Sequence, residues 1–510
     1  MKASLKRKIL AFEELIRKVK DLKRAGKTVV QSHGVFDLIH PGVIKHFNSA
    51  KEQGDVLIVT VIKDKDARKG PGRSIFPENL RVENVASLSQ VDYACIVDDE
   101  NPFECVRTLN PHVFAKDATA EEKEGHIHKR VFKEENGLYM GKSRIHQTDG
   151  FVSTSSEIIK NFLTIYPDEI KTFLNNFSKR YSFNDVSRKI EGLQGLKVLL
   201  IGDGIIDEYH YCEAMGRATK AHLIVSRYLS HEVFAGGAFA IANHIAGLCG
   251  EIHLITVLGK TDSREDFISS HLKPNVTTKL FYREDGPTIV KKRYINRYLN
   301  QKLFEINYLD NNYISKDCEV EIIGYLKSKI SEYDLVLVSD FGHGFITNRM
   351  IRVIESLSKK LAVNTQTNAA NAGYNMIIKY RKPDYVCLDE PELRWAAQER
   401  FADIEYVARK VLKTIGAQNL IVTLGKNGSL GINRRNQVNR TPVFSTKVVD
   451  TVGAGDAFFA FTAPCLAKDM PLDLVSFIGN AVGALAVQIV CNKKPVEKYE
   501  LLEFIHALLK

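Results

Sequence analysis

The chain has 510 residues with a formal net charge of +10, and it is 44% hydrophobic and 26% charged. That balance is ordinary for a globular protein with a normal core, and the length allows two to four domains of roughly 150 residues each. The basic surplus is spread without a long single-sign block, which favours anionic small molecules such as nucleotides and sugar phosphates over nucleic acid. No stretch approaches the ~18 apolar residues of a membrane span.

The eight cysteines are scattered and form no CxxC pair, so neither a zinc ribbon nor a disulfide framework is suggested. A reducing compartment fits. The opening MKASLKRKILAFEELIRKVK is charged throughout and lacks the apolar core of a signal peptide. It reads as an amphipathic helix with Leu5, Ile9, Phe12, Leu15 and Ile16 on one side. The expected location is the cytoplasm.

From Lys27, KTVVQSHGVFDLIHPGVIKHF reads as a strand running into a glycine-bearing turn. A helix over 42–53 follows, then strand 55–62, the loop DKDARKGPGR, helix 78–89, strand 92–97, helix 102–109 and strand 112–116. Apolar strands alternating with helices predict a parallel sheet covered on both faces. His40 sits in the first turn, and Gly42 permits close approach of backbone to ligand.

The HPGV turn resembles the HxGH motif of nucleotidyltransferases. The similarity continues through KGPGR (69–73), ENLRVENVASLSQVDY (78–93) and STSSEII (153–159), and covers about residues 5–163. The resemblance implies transfer of a nucleotidyl group from ATP or CTP to a sugar 1-phosphate, with release of pyrophosphate. His40 would then donate to the α- and β-phosphate oxygens, and Lys45, Lys69, Arg73 and Arg81 would hold phosphates. Thr154, Ser155 and Ser156 would supply hydroxyl and N–H donors to the β,γ end, and Asp37 would orient the loop or the sugar phosphate. Two features depart from the pattern. The second histidine is Val43, which neither donates a hydrogen bond nor carries charge, and His46 one turn further on is an imperfect substitute. AKDAT (115–119) replaces the usual KGxD-like turn. A working transferase with an unusual site, a weak one and a nucleotide-binding or purely structural domain all stay open.

YPDEIKTFLNNFSKRYSFNDV (166–186) is polar and reads as a helix-containing connector. The expected division is 1–164, a linker over 165–192, and 193–510. A second strand and glycine turn, LKVLLIGDGIIDEYH, opens the last part. Strands are expected near 197–202, 253–258, 334–339, 360–364, 384–388 and 419–424, with helices between. Residues 205–235 and 276–308 carry alternating patterns such as LIVSRYL and TIVKKRYI, which predict a small antiparallel sheet acting as a lid.

DTVGAGDAF (450–458) places three small residues just before an acid, between the strand-like TKVVD and an apolar helix. A Gly-Ala-Gly turn at a helix N-terminus leaves N–H groups pointing outward, an anion hole reinforced by the helix dipole. An acid inside such a hole is useful if it meets a proton, and a hydroxyl attacking phosphorus supplies one. Asp456 would accept that proton while the amides hold the transferring phosphoryl group. Alone, the stretch reads equally well as a helix N-cap on a flexible turn. It is accompanied, however, by AGGAFAIANHIAGL (235–248), GDGIIDEYH (202–210), LVSDFGHGFIT (337–347) and VTLGKNGS (422–429).

Together these resemble the ribokinase-like (PfkB) sugar kinases over about 315 residues. The resemblance implies Asp456 as catalytic base, with Gly453, Ala454 and Gly455 forming the anion hole. Asp203, Asp207, Gly236, Gly237 and Asn243 would line the sugar pocket. Thr423, Gly425 and Gly428 would lie by ATP, with Asn480 near the adenine. Glu392, in LDEPELR, matches the acid of an NxxE motif that organises Mg2+, with Asp389 in place of its Asn. Within the family, the chain is similar to the kinase part of the bifunctional ADP-heptose synthases. GPTIVKKRYI resembles their TxxKxR strand, so Thr288, Lys291 and Arg293 would meet a substrate phosphate. Arg217 matches the Arg of their RxSPEAP segment, but the rest of that segment is lost, and His343 stands where Lys is usual. The domain order is reversed relative to that family, whose kinase comes first. The expected architecture is two doubly wound parallel-sheet α/β domains: an N-terminal Rossmann-type nucleotidyltransferase-like domain and a C-terminal ribokinase-like domain with a β lid. The expected partners are a sugar or sugar phosphate and a nucleoside triphosphate, with Mg2+, no nucleic acid and no membrane, in a homodimer formed through the lid strands.

Overall fold

The computed structural model describes residues 7–64, 74–98, 104–117, 143–148, 167–298, 300–369, 371–445 and 448–509. The chain divides into two compact units, Met1–Pro167 and Asp168–Leu509.

In the first unit, strands β1 (Val29–Gly34), β2 (Val56–Ile62), β3 (Tyr93–Val97), β4 (Val113–Asp117) and β5 (Arg144–Thr148) form one parallel sheet in the order β3-β2-β1-β4-β5. Successive residues feed opposite faces, as strand geometry requires. Val30, Leu57 and Val59 pack with Phe47 and Val85 on one side. Val29 and Ile58 pack with Leu15, Val19 and Val106 on the other. Strand β5, RIHQT, has no apolar run and was not expected from the sequence. The order reverses between β1 and β4, and such a switch point opens a crevice beyond the carboxyl ends of the strands. The HPGV turn lies just past β1, where the helix Pro41–Lys51 begins with Pro at its first position.

The second unit has a nine-stranded sheet in the order β10-β9-β6-β13-β14-β15-β16-β17-β18. Its strands are β6 (Lys197–Gly202), β9 (Glu251–Gly259), β10 (Val276–Arg283), β13 (Leu335–Asp340), β14 (Leu361–Thr365), β15 (Tyr385–Asp389), β16 (Asn419–Thr423), β17 (Ser429–Asn433) and β18 (Val438–Thr441). All pairs are parallel except β16–β17 and β17–β18. A separate four-stranded sheet, β12-β11-β7-β8, is built from β7 (Gly204–Arg217), β8 (Ile224–Gly237), β11 (Ile289–Asn296) and β12 (Gln301–Tyr308).

This corrects the expected lid in two ways. Residues 276–283 are not part of it: β10 pairs in parallel with β9, Val276 opposite Ile252, as an edge of the large sheet. The lid is also mixed rather than antiparallel, because β11 runs parallel to β7, with Lys291 opposite Asp207. Period-2 alternation identifies a strand but not its sheet or direction. The expected strand before DTVGAGDAF is likewise absent over 448–450, where the Val449 and Asp450 amides instead donate to the Val487 carbonyl at 2.8 and 3.1 Å.

The helix that follows, Ala454–Ala467, is buried at every position from Asp456 to Cys465. It packs between the helices Ala238–Ala246 and Leu472–Ala486. A helix apolar all round is stable only when enclosed in this way. The helices Asp168–Ser178 and Phe183–Glu191, in the connector stretch, pack on the second unit. Phe177 stacks on Phe477 with ring centroids 4.1 Å apart, and Arg180 pairs with Asp473 at 2.6 Å. Among the described residues, no helix is long and apolar enough to cross a membrane.

Candidate active site

A cavity of about 260 Å³ opens in the second unit where the lid meets the carboxyl ends of β14, β15 and β16. Asp456, Gly453, Gly455, Asp207, Gly237, Lys291, Arg293, Thr423 and Glu392 all line it. The structure thus brings together residues that are more than 200 positions apart in sequence, from six of the quoted motifs.

Asp456 occupies the first turn of the helix Ala454–Ala467 and is buried. Its Oδ1 accepts a hydrogen bond from Gln366 Nε2 at 2.5 Å. Burial, and then the nearby Asp207, push its carboxyl up to about 7, against the pull of the Gln366 hydrogen bond and the Lys291 charge. A base tuned near neutrality suits proton abstraction at neutral pH. Gly453 caps this helix in the left-handed region, φ 86°, and a Cβ there would fall 2.1 Å from Asn492 Oδ1. No side chain caps the helix. The Ala454 N–H turns to the Thr451 carbonyl at 3.3 Å, which leaves the Gly455 and Asp456 amides without a partner among the described residues. Unpaired amides at a helix N-terminus hold anions.

The opposite wall comes from the lid. Asp207 on β7 and Arg293 on β11 form a buried ion pair, and Arg293 Nε also meets Glu305 at 2.7 Å. Gly236 lies against this pair, with room for no Cβ beside Asp207 Oδ2. Lys291 is also buried, with its Nζ 5.9 Å from the Phe341 ring centroid. It makes no hydrogen bond or ion pair with a described residue. Burial pulls its ammonium below the usual value, partly offset by Asp207 and Glu305. A desolvated cation without a direct ion-pair partner, facing a cavity, suits an anion.

Asp389 and Glu392 lie side by side on a third wall. They form a capping box at the helix Glu390–Ala397: Glu392 N–H donates to Asp389 Oδ1 at 2.8 Å, and Asp389 N–H to Glu392 Oε2 at 2.9 Å. Glu392 Oε1 accepts the Thr367 N–H at 3.0 Å. Burial, then Asp389 beside it, push Glu392 above the usual carboxylate range, and burial raises Asp389 as well. No cluster of three or more metal-ligating side chains occurs among the described residues. Two adjacent carboxylates nevertheless fit Mg2+, which takes one or two carboxylates plus water and substrate phosphates.

Several expected site residues lie off the cavity. Asn243 ties its helix to the His271 carbonyl at 2.8 Å and the Lys273 N–H at 3.0 Å. The Thr288 hydroxyl bridges the Ser263 carbonyl and the Gly259 N–H. Asn480 donates to Ser429 Oγ at 2.6 Å and so locks the helix Leu472–Ala486 to β17. Asp203 accepts the Phe341 N–H at 3.0 Å, and burial, with Asp340 nearby, raises it to about 7. Gly425 and Gly428 shape the turn between β16 and β17, with φ of 56° and 81°. Sequence reasoning missed Gln366 and Asn364, which line the cavity. The polar run NTQTN at the carboxyl end of an α/β strand was the available signal.

In the first unit, His40 caps the helix Pro41–Lys51, its Nδ1 accepting the Gly42 N–H at 3.2 Å, and burial lowers its pKa. Lys45 is exposed on that helix. Val43 packs on the apolar core. His46 is buried, with Nε2 2.7 Å from Ser32 Oγ and Nδ1 2.6 Å from Thr148 Oγ1. Both its nitrogens are spent on joining β1 to β5, so it does not replace the missing donor at position 43. Asp37 accepts the Ile75 and Phe76 amides and thereby orients that loop. Arg81 is fully buried; its guanidinium meets Asp64 at 2.7 Å and the carbonyls of Val35, Ile62 and Phe76. Lys69, Arg73, Thr154, Ser155 and Ser156 lie outside the described residues.

Residues 196–492 match the pfkB family carbohydrate kinases, and residues 32–161 match the cytidylyltransferase-like family. The chain is 38% identical over 312 residues to the bifunctional protein HldE of a Nitratiruptor species, covering 60% of this chain and 65% of that protein. It is 24% identical over 295 residues to the bifunctional protein HldE of Trichlorobacter lovleyi, covering 57% and 59%. The chain thus spans about six-tenths of the length of these curated relatives. Among solved structures, the tetrameric inhibited form of phosphofructokinase-2 from Escherichia coli aligns with a TM-score of 0.50 at 16% identity, over 62% of this chain and 100% of that one. That is a likeness of fold. With a family match extending over more than half its length, the chain belongs to the pfkB family of carbohydrate kinases.

Proposed function

We propose that the chain is a bifunctional enzyme of nucleotide-sugar synthesis. The larger unit transfers the γ-phosphoryl group of ATP to a sugar or sugar phosphate, a heptose 7-phosphate or a close analogue, at the anomeric hydroxyl. The first unit joins a sugar 1-phosphate to a nucleotide from ATP or CTP. The observation that carries the kinase half is Asp456: a buried carboxylate whose pKa is raised to about 7, beside unpartnered helix amides and a Lys291 with no direct ion-pair partner, in one cavity.

The chemistry follows from these groups. Asp456 removes the proton from the sugar hydroxyl as its oxygen attacks phosphorus. The Gly455 and Asp456 amides and the Lys291 ammonium hold the charge on the moving phosphoryl oxygens. Asp207, fixed by Arg293, orients sugar hydroxyls. ATP lies along the β16–β17 turn by Thr423, Gly425 and Gly428. Asp389 and Glu392 would hold Mg2+, which neutralises phosphate charge. Exposed apolar side chains on the lid, including Ile224, Phe304 and Tyr228, support a homodimer formed through that sheet. The cytoplasm suits a chain whose described cysteines are all free.

A second reading, a sugar kinase with a non-catalytic N-terminal domain, draws on the apolar, half-buried Val43 packed against the core and His46 locked between two hydroxyls. Two assays separate the readings. ADP release is measured with Mg-ATP across heptose 7-phosphate and simpler hexoses; a response to none of them sinks the kinase reading. Pyrophosphate release is measured with ATP and CTP, using the sugar 1-phosphate product, in the wild type and in Val43→His. A sharp gain in the variant identifies a crippled transferase site, and silence in both favours the second reading.

A further inference from the structure

We propose that Gln366 is a positioning residue for phosphoryl transfer, its carboxamide holding the Asp456 carboxylate so that Oδ2 alone meets the alcohol. The proposal rests on the kinase reading of this site. Gln366 follows β14 and donates its backbone N–H to the Asp340 carbonyl at 2.8 Å, which fixes where its side chain starts. Its Nε2 lies 2.5 Å from Asp456 Oδ1 and 3.0 Å from Asn364 Oδ1. Asn364 Nδ2 in turn donates to the Cys387 carbonyl at 2.9 Å.

This chain of amides has one consistent orientation. A backbone carbonyl only accepts, so Asn364 must turn its NH2 toward Cys387 and its oxygen toward Gln366. Gln366 must then present its own NH2, one proton to Asn364 and the other to Asp456. Reversing either amide sets oxygen against oxygen. The carboxylate is therefore anchored through Oδ1 by a donor that cannot rotate away. Among the described residues, no donor takes Oδ2, and the residue faces the cavity. The other ionisable groups around Asp456 are Asp207 from β7, Lys291 from β11, Cys387 from β15 and Glu392 from the helix Glu390–Ala397. None of them makes a hydrogen bond with Asp456. Gln366 is thus the one described side chain that both orients the base and favours its ionised form.

Infrared difference titration tests this without any substrate, using the carboxyl band that disappears in Asp456→Asn. Gln366→Leu removes the donor; Gln366→Met removes it and keeps the length of the side chain. Melting curves identify which variants fold, and either one decides. The expected result is an Asp456 midpoint at higher pH, with proton affinity raised at least about tenfold in Gln366→Leu and in Gln366→Met. An unchanged midpoint in a folded variant overturns the proposal. The kinase reading fails separately, if Asp456→Asn retains sugar-dependent ADP release, and the titration still decides what Gln366 does to the carboxyl.

Discussion

Lys302, on the outer strand of the lid, reaches Asp450 at the head of the DTVGAGD loop, with Nζ 2.6 Å from Oδ1. Tyr209 of β7, two strands further into the lid, donates to Oδ2 at 2.7 Å, and the Cys491 N–H at 3.1 Å. One buried carboxylate thus ties two lid strands to the loop in which the anion hole is proposed. Burial alone would push Asp450 up; the donors from Lys302, Tyr209 and the Val452 amide outweigh it and hold the carboxyl below its usual value.

Lys302→Met is expected to destabilise the larger unit by about 1.5–3 kcal/mol, the range for a hydrogen bond to a charged group. Because the native carboxyl sits below its unfolded value, this stabilisation is present above the ordinary carboxylate pKa and is lost as pH falls through the native one. Urea melts at pH 7 and near pH 3 measure it. The wild type and the variant are expected to differ most at the first pH and less at the second.

Gly453→Ala combines two penalties. A left-handed φ of 86° costs an L-residue roughly 1–2 kcal/mol. The new Cβ would also overlap Asn492 Oδ1 at 2.1 Å, so the turn must shift. Displaced amides are expected to lower kcat by about 10²–10³, the cost of losing a donor to the transition state. Steady-state ADP release at saturating ATP reads this directly.

His46 gives the first unit a pH sensitivity. Burial, then the charge of His146, lower its pKa to about 4. A histidine depressed in the folded state binds its proton more readily when unfolded, so stability is full above the unfolded value near 6.5 and falls as pH drops toward 4. The loss is expected to reach roughly 3 kcal/mol, since each pKa unit is about 1.4 kcal/mol. In His46→Gln, melting of the first unit followed from pH 7 to 4 should lose less stability than the wild type.

Much of this architecture was legible in the chain. Most strands of the two large sheets follow from apolar runs, though β5 (RIHQT) and β18 (VNRT) do not, and DTVGAGDAF suggested an anion hole because glycine, helix start and acid are contiguous. The lid was harder. TTKLFYR and TIVKKRYI alternate in the same way, yet β10 extends the large sheet while β11 enters the lid, since only tertiary pairing separates them. Polar site residues were legible by type but not by task. Asn243, Asn480 and Thr288 spend their side chains on backbone and hydroxyl partners, whereas Gln366, in the polar run NTQTN, reaches Asp456. Arg81 likewise reads as a phosphate ligand in sequence and is enclosed in carbonyls in the fold.

The most direct measurement is ADP release by the wild type and by Asp456→Asn with Mg-ATP and heptose 7-phosphate, beside a panel of simpler hexoses. Phosphoryl transfer through Asp456 predicts that at least one sugar stimulates release, and that the variant loses about 10²–10⁴ in kcat while its KM for ATP changes little. A variant that turns over at the wild-type rate, or a wild type indifferent to every sugar, would contradict it.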